Sequence, residues 1–221
     1  MKNLAILTFA TLISAQGAAA ADGFYLKGSI SNSNIGHEIE RNTGGTTLPV
    51  PDVGGVSRTE IDDLGVGIGI GYQRALGVGD MFWGAELFYN VETGESRNIN
   101  GVLSTKIDHK ATYGARALLG TKINEKVAVY GHAGVARVEF DVRNTYTFAP
   151  PVRDKSFEET GFIFGFGAEY ALTDRVAVFA DYSRITDIDF GGIPEVAGGT
   201  NRSNPNKLDF DKISIGAKFT F

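Results

Sequence analysis

The chain has 221 residues, 21 Lys+Arg against 26 Asp+Glu, no cysteine, 29 glycines and 43% hydrophobic residues. The missing cysteines exclude a disulfide framework and any thiolate-held zinc or iron–sulfur site. The net charge of −5, without a basic run, argues against nucleic acid as a partner. The glycines follow no three-residue period, so neither collagen nor simple disorder is expected.

Residues 1–20 read as a secretory signal. Lys2 is the basic start, Leu4 to Ile13 the apolar stretch, and Ala18, Ala19 and Ala20 an Ala-x-Ala site with cleavage before Ala21, or before Asp22 if the site shifts by one. The apolar stretch is short of the roughly 20 residues needed to span a bilayer. Without this segment, 20 basic and 26 acidic residues remain. Residues 21–221 are expected to form one domain.

The remainder has no apolar window long enough for a transmembrane helix, but it alternates persistently. Leu64, Val66, Ile68, Ile70 and Tyr72 share one parity, with Gly65, Gly67, Gly69 and Gly71 on the other. In GFIFGFGAEY, Phe162, Phe164, Phe166, Ala168 and Tyr170 oppose Gly161, Ile163, Gly165, Gly167 and Glu169. Neither run contains G-x-G-x-x-G or leads into a helical pattern, which excludes a dinucleotide loop. The period-2 test predicts eight strands, near 23–31, 59–75, 81–92, 104–122, 127–142, 158–172, 176–188 and 207–221.

The connections alternate in length. Residues 76–80, 123–126 and 173–175 are short turns, whereas 32–58, 93–103, 143–157 and 189–206 are long and rich in Gly, Asn, Thr and Pro. This is the layout of an all-β, eight-stranded antiparallel up-and-down transmembrane β-barrel. The strand faces favour a membrane barrel over a soluble lipocalin-like carrier. On 81–92, Met81, Trp83, Ala85, Leu87, Tyr89 and Val91 oppose Gly84, Glu86, Asn90 and Glu92; on 104–122, Ile107, Ala111, Tyr113, Ala115, Ala117 and Leu119 oppose Lys106, Asp108, Lys110, Thr112 and Arg116. A soluble barrel puts its large apolar side chains inside. Here only the small-and-charged face is narrow enough to be a lumen, so the apolar face meets lipid. The parity of VAVYGHAGVARVEF is left open by its pattern.

Outward aromatics gather at the short-turn ends: Phe24, Tyr72, Trp83, Tyr170, Phe219 and Phe221. They suit an interfacial girdle, which an ordinary aromatic core would not explain. Lys27, Glu86, Arg116, Glu169, Asp181 and Lys218 fall on the lumen face. Glu86 and Arg116 are placed as an ion pair, and Glu169 and Asp181 as facing carboxylates neutralised by Lys218 or Lys27. Such a set reads as a structural polar plug, because a narrow lumen must neutralise the charge it buries.

The stretches FYLKGSIS, GVGIGIGYQ, WGAELFY, TYGARALLG, VAVYGHAGVARVEF, GFIFGFGAEYALTDRVAVFADYSRI and KISIGAKFTF together resemble the outer-membrane protein β-barrel family, the OmpA-type barrels that include opacity proteins and immunogenic surface antigens. The resemblance spans nearly all of 21–221. It implies residence in the outer membrane among lipid and lipopolysaccharide, and insertion by the barrel assembly machinery through the final strand, with Phe219 and Phe221 as the signal. It also implies a structural or surface role: envelope integrity, or contacts of the long loops with host cells or phage. No catalytic, cofactor or metal set is expected, since His37, His109 and His132 belong to no Ser/His motif and show no ligand spacing. A small porin-like channel and an outer-membrane lipid-modifying enzyme are the alternatives.

Overall fold

The computed structural model describes residues 22–39, 57–100, 103–146, 153–190 and 206–221. Its strands are β1 (Gly23–Ile39), β2 (Ser57–Ala75), β3 (Met81–Glu92), β4 (Glu95–Asn100), β5 (Leu103–Lys122), β6 (Val127–Tyr146), β7 (Arg153–Ala171), β8 (Val176–Phe190) and β9 (Asn206–Thr220). Every pairing is antiparallel. Sequential neighbours pair except β3 with β4, and β1 closes the ring against β9. Both β3 and β4 pair with β5, so they are two halves of one stave interrupted at Thr93 and Gly94. The result is a closed eight-stave barrel, as the alternation predicts.

The short turns fall where expected, and each is closed by local hydrogen bonds. In the turn after β5, Asn124 Oδ1 accepts from the backbone N–H groups of Lys126 and Val127 at 2.8 and 2.9 Å. In the turn after β7, Thr173 Oγ1 accepts from Val176 N–H at 3.0 Å. Short polar side chains that bond the backbone two or three residues on are the chemistry such turns need.

The opposite end differs from the expectation. Strands continue into 32–39, 95–100, 143–146, 153–157 and 189–190, all placed in loops by the sequence. Twenty residues of β5 or β6 at about 3.4 Å each, tilted by about 40°, rise about 50 Å, roughly twice the apolar band of such barrels. Hydropathic alternation stops where lipid stops, but backbone pairing does not require it. Of the expected loops at 32–58 and 189–206, residues 32–39, 57–58, 189–190 and 206 are strand, and 40–56 and 191–205 lie outside the described residues.

The faces sort as predicted on β2 and β3. Ile68 and Phe166 each remain 65% exposed on the outer wall, while Glu86, Glu169 and Lys218 are almost wholly buried inside. Such a wall is insoluble in water and suited to lipid. For β6 the even positions face inward: Ala128, Tyr130, His132, Ala136, Val138 and Phe140 are all buried. On β5 the predicted parity fails beyond the bilayer. A register shift between His109 and Ala111 exchanges the faces beyond it, because one extra residue exchanges the faces of a strand. His109, opposite the inward Phe140, turns into the lumen and Lys110 is exposed, while Ala111 keeps its predicted outward parity opposite Val91.

Candidate functional site: a layered lumen and two rims

The lumen is filled in layers. At the short-turn end Phe82, Leu118, Ala128, Tyr130 and Ala171 form an apolar plug. Toward the other end Ala136, Val138, Phe140, Ile163, Ile185, Ile188 and Phe210 form a second, with Phe88 and Phe157 packed against it. Charged and polar side chains lie between and beside them. The second plug was only partly legible in the sequence: Ile163 lies on the predicted lumen parity, but Phe140 lies on the strand of open parity, and a register shift between Ile185 and Ile188 brings Ile188 to the same inward side as Ile185.

All six charged residues singled out from the sequence meet in the central layer. Arg116 donates from Nε and Nη2 to Glu86 Oε1 at 2.9 and 2.7 Å, and from Nη1 to Asp181 Oδ1 at 3.1 Å. Lys27 Nζ lies 3.0 Å from Glu86 Oε2 and 3.8 Å from Glu169 Oε1. Lys218 is hydrogen-bonded to Glu169 and donates to Gln73 Oε1 at 3.1 Å. Tyr25 and Tyr130 donate to Glu86 Oε2 and Asp181 Oδ2, each at 3.0 Å. Within this group three carboxylates face three cations in a water-poor space, so each charge is compensated locally.

One expected pairing is corrected. Glu169 and Asp181 are not cross-strand neighbours; Glu169 stands opposite Phe179, and Asp181 opposite Gly167. Glu169 bridges Lys27 and Lys218, which face one another across β1 and β9, while Asp181 is neutralised by Arg116 and approached by His132 Nε2 at 3.3 Å. Adding a side-chain carbon to Gly165 would strike the backbone carbonyl of Tyr182 and the ring of His132. Glycine is required at that close approach. Between the central layer and Lys212, Asn90 and Thr112 there is a cavity of only about 40 Å³, enough for a water molecule or two.

A second polar cluster lies nearer the long connections. Asp63 Oδ1 accepts from Thr93 N–H at 2.8 Å, and its Oδ2 lies 2.6 Å from His109 Nδ1. The far nitrogen of that ring is 2.9 Å from Thr112 Oγ1. His109 also stacks on Phe140 with ring centroids 4.8 Å apart. Lys212 Nζ donates to Glu92 Oε1 at 2.6 Å. Asp63 occupies the space left by Gly94, where a side chain would collide with the carboxylate. Thus the break between β3 and β4 is stitched by an aspartate from the neighbouring stave. Among the described residues, Asp63, Glu92 and His109 are the group whose donor atoms could hold a metal ion, all within 4.8 Å of one another. They come from three strands and are 46 residues apart at the extremes, so no local spacing announces them.

On the outside, the aromatics predicted for the short-turn rim lie in one neighbourhood. Phe24 and Tyr72 have ring centroids 5.0 Å apart, Tyr72 and Trp83 6.1 Å, and Phe219 and Phe221 5.3 Å. Tyr170 is 45% exposed on the same face. A second aromatic group, absent from the sequence reading, marks the other edge of the apolar wall: Tyr89 and Tyr113 are cross-strand partners stacked at 5.9 Å. Beyond it the exterior turns ionic, with Arg137–Glu158 at 3.3 Å and Lys110–Asp141 at 3.5 Å. Higher still, Lys106 contacts Asp108 and Glu95, each at 3.0 Å, and those hydrogen bonds push its ammonium above the usual lysine range.

Residues 5–221 match the family described as "Outer membrane protein beta-barrel domain". Neisserial surface protein A (NspA) is similar in structure, with 16% identity over 92% of this chain and 100% of that chain and a TM-score of 0.53. So is the outer membrane protein OprG from Pseudomonas aeruginosa, with 17% identity, 94% and 99% coverage and a TM-score of 0.55. Ail of Yersinia pestis aligns with 13% identity over 90% of this chain and 99% of that chain, with a TM-score of 0.43. No curated protein matches the chain in sequence. The family match across both rims and every stave, together with a wall apolar outside and charged within, places the protein in the outer membrane, and the chain belongs to the outer membrane protein beta-barrel family.

Proposed function

We propose that the protein is a non-enzymatic surface barrel whose lumen is shut and whose biological contacts are made by the long-connection end. The observation that carries this reading is the layered lumen: among the described residues two apolar plugs enclose a compensated charge cluster, beside which lies a cavity of about 40 Å³. With the lumen filled by these layers among the described residues, the polar surface left for contacts is at the barrel ends. Residues 1–20 act as the export signal, Phe219 and Phe221 as the terminal insertion signal, and the aromatic rims as anchors in the lipid interface. Lipid and lipopolysaccharide surround the wall, and the segments 40–56 and 191–205 supply contacts to envelope components, host cells or phage.

The enzyme alternative finds its best support in the Asp63–His109–Thr112 chain, which has the order of a hydrolase relay. Thr112 is only 1% exposed and its hydroxyl lies inside the barrel, so a substrate would have no access to it.

The test is labelling of intact cells carrying short epitope tags. Tags at Gly45 and Gly198 are expected to be labelled while the protein still migrates differently before and after boiling. Labelling of tags at Gly79 or Asn124 instead would invert the orientation and remove the loop-based function.

A further inference from the structure

We infer that Asp63, Glu92 and His109 form a binding site for one first-row divalent transition-metal ion inside the outer half of the lumen. One imidazole and two carboxylates are the donor set of zinc, manganese, iron(II) or cobalt(II) sites. Calcium, which takes six to eight oxygen ligands, is poorly served by this set. The three donor atoms, from β2, β3 and β5, already lie within 4.8 Å of one another, and all three residues are buried.

An independent observation points to a ligand. Glu92 Oε2, Ser31 Oγ and Ser33 Oγ are buried and lack a hydrogen-bond partner. Ser33 is the cross-strand partner of Asp63, and Ser31 and Glu92 flank Gly65 from its two neighbouring strands. One carboxylate oxygen and two hydroxyls left unsatisfied side by side are unusual in a folded interior, where buried polar groups almost always find a partner. A divalent ion and its bound water would satisfy them.

Charge and geometry agree. Asp63 and Glu92 bring two negative charges against one from Lys212, so with a neutral imidazole a divalent ion turns a local −1 into +1. Asp63 Oδ2 and His109 Nδ1 are 2.6 Å apart. Two ligands about 2.1 Å from a tetrahedral ion stand about 3.4 Å apart, so the hydrogen bond must open by less than about 1 Å. The proton on Nδ1 then leaves that nitrogen, and Nε2–H donates to Thr112 Oγ1, which accepts as readily as it donates. Thr93 N–H on Asp63 Oδ1 and Thr112 on the ring hold both ligands from behind, as outer contacts of metal sites do.

The test uses the untagged full chain from residue 21, refolded in detergent micelles with cobalt(II) present because the site is enclosed, then freed of loosely held metal on a chelating resin. We expect one cobalt per folded barrel, a visible ligand-field spectrum and a raised thermal midpoint. Glu92→Gln, which preserves shape and the contact to Lys212 but removes an anionic ligand, should weaken retention by more than the about 10- to 100-fold that loss of an outer contact alone costs, and His109→Gln should abolish the spectrum. Heat-modifiable wild-type barrel that retains no cobalt overturns the proposal. So does an unchanged stoichiometry and spectrum in both variants, which would assign the ion elsewhere. If neither variant folds, His37→Gln and His132→Gln decide: loss of the cobalt spectrum in either contradicts the site, and its persistence in both supports it.

Discussion

Glu86 and Arg116 stand directly opposite one another on β3 and β5, and one carboxylate oxygen of Glu86 receives both Nε and Nη2 of the guanidinium. The same guanidinium reaches across the lumen to Asp181. Arg116 therefore joins opposite sides of the barrel. Removing it leaves Glu86 with Lys27 and Asp181 with His132. Arg116→Ala should lower stability by about 3 kcal/mol, the low end for a broken buried pair, because both carboxylates keep a second partner. Urea unfolding in lipid vesicles measures it; an unchanged midpoint would show that the pair is solvated.

The glycines of the wall separate into those that are filled against and those that are not. Gly165→Ala should impair refolding and destabilise the barrel, since the added methyl meets the Tyr182 carbonyl and His132. Gly28→Ala meets nothing within 4 Å and should refold like the parent protein. Refolding yields scored by heat-modifiable migration compare the two, and equal yields would contradict the packing of β7 against β8.

Much of this was legible in the sequence. Membrane strands reveal themselves because lipid outside and a narrow lumen inside impose opposite demands on successive residues, as Ile68 and Gly69 illustrate. Two kinds of feature were hidden. Where the chain leaves the bilayer the outer face is no longer apolar, so the strand extensions carry no alternation. Where a bulge intervenes, parity counted from the membrane assigns the wrong face, as happened at Lys110 and His109. The Asp63–Glu92–His109 cluster needs both the register of three strands and that bulge, and neither is written locally. The six central charges were found because they sit in regular strand, but the division of Glu169 and Asp181 between different cations required the tertiary register.

The outer plug should matter for stability more than for closure. Phe210→Ala removes a fully buried ring and should cost about 3–5 kcal/mol. The inner plug around Phe82 and Tyr130 remains, so the variant should still pass no current. A conducting Phe210→Ala barrel would show that the inner plug does not seal.

The terminal residue closes the ring. Phe221 N–H donates to the Phe24 carbonyl at 2.9 Å, and its ring lies against Phe219. Deleting Phe221 should reduce the amount of protein assembled in the outer membrane while leaving export intact. Quantifying the chain in periplasmic and membrane fractions checks this, and undiminished membrane levels would argue against an insertion role.

The proposed function requires a closed lumen. Single-channel recording of the purified, folded barrel in planar bilayers tests that most directly. Two apolar plugs around a neutralised charge layer predict a flat baseline. Stable openings of one large, reproducible size would contradict the account and make the protein a channel.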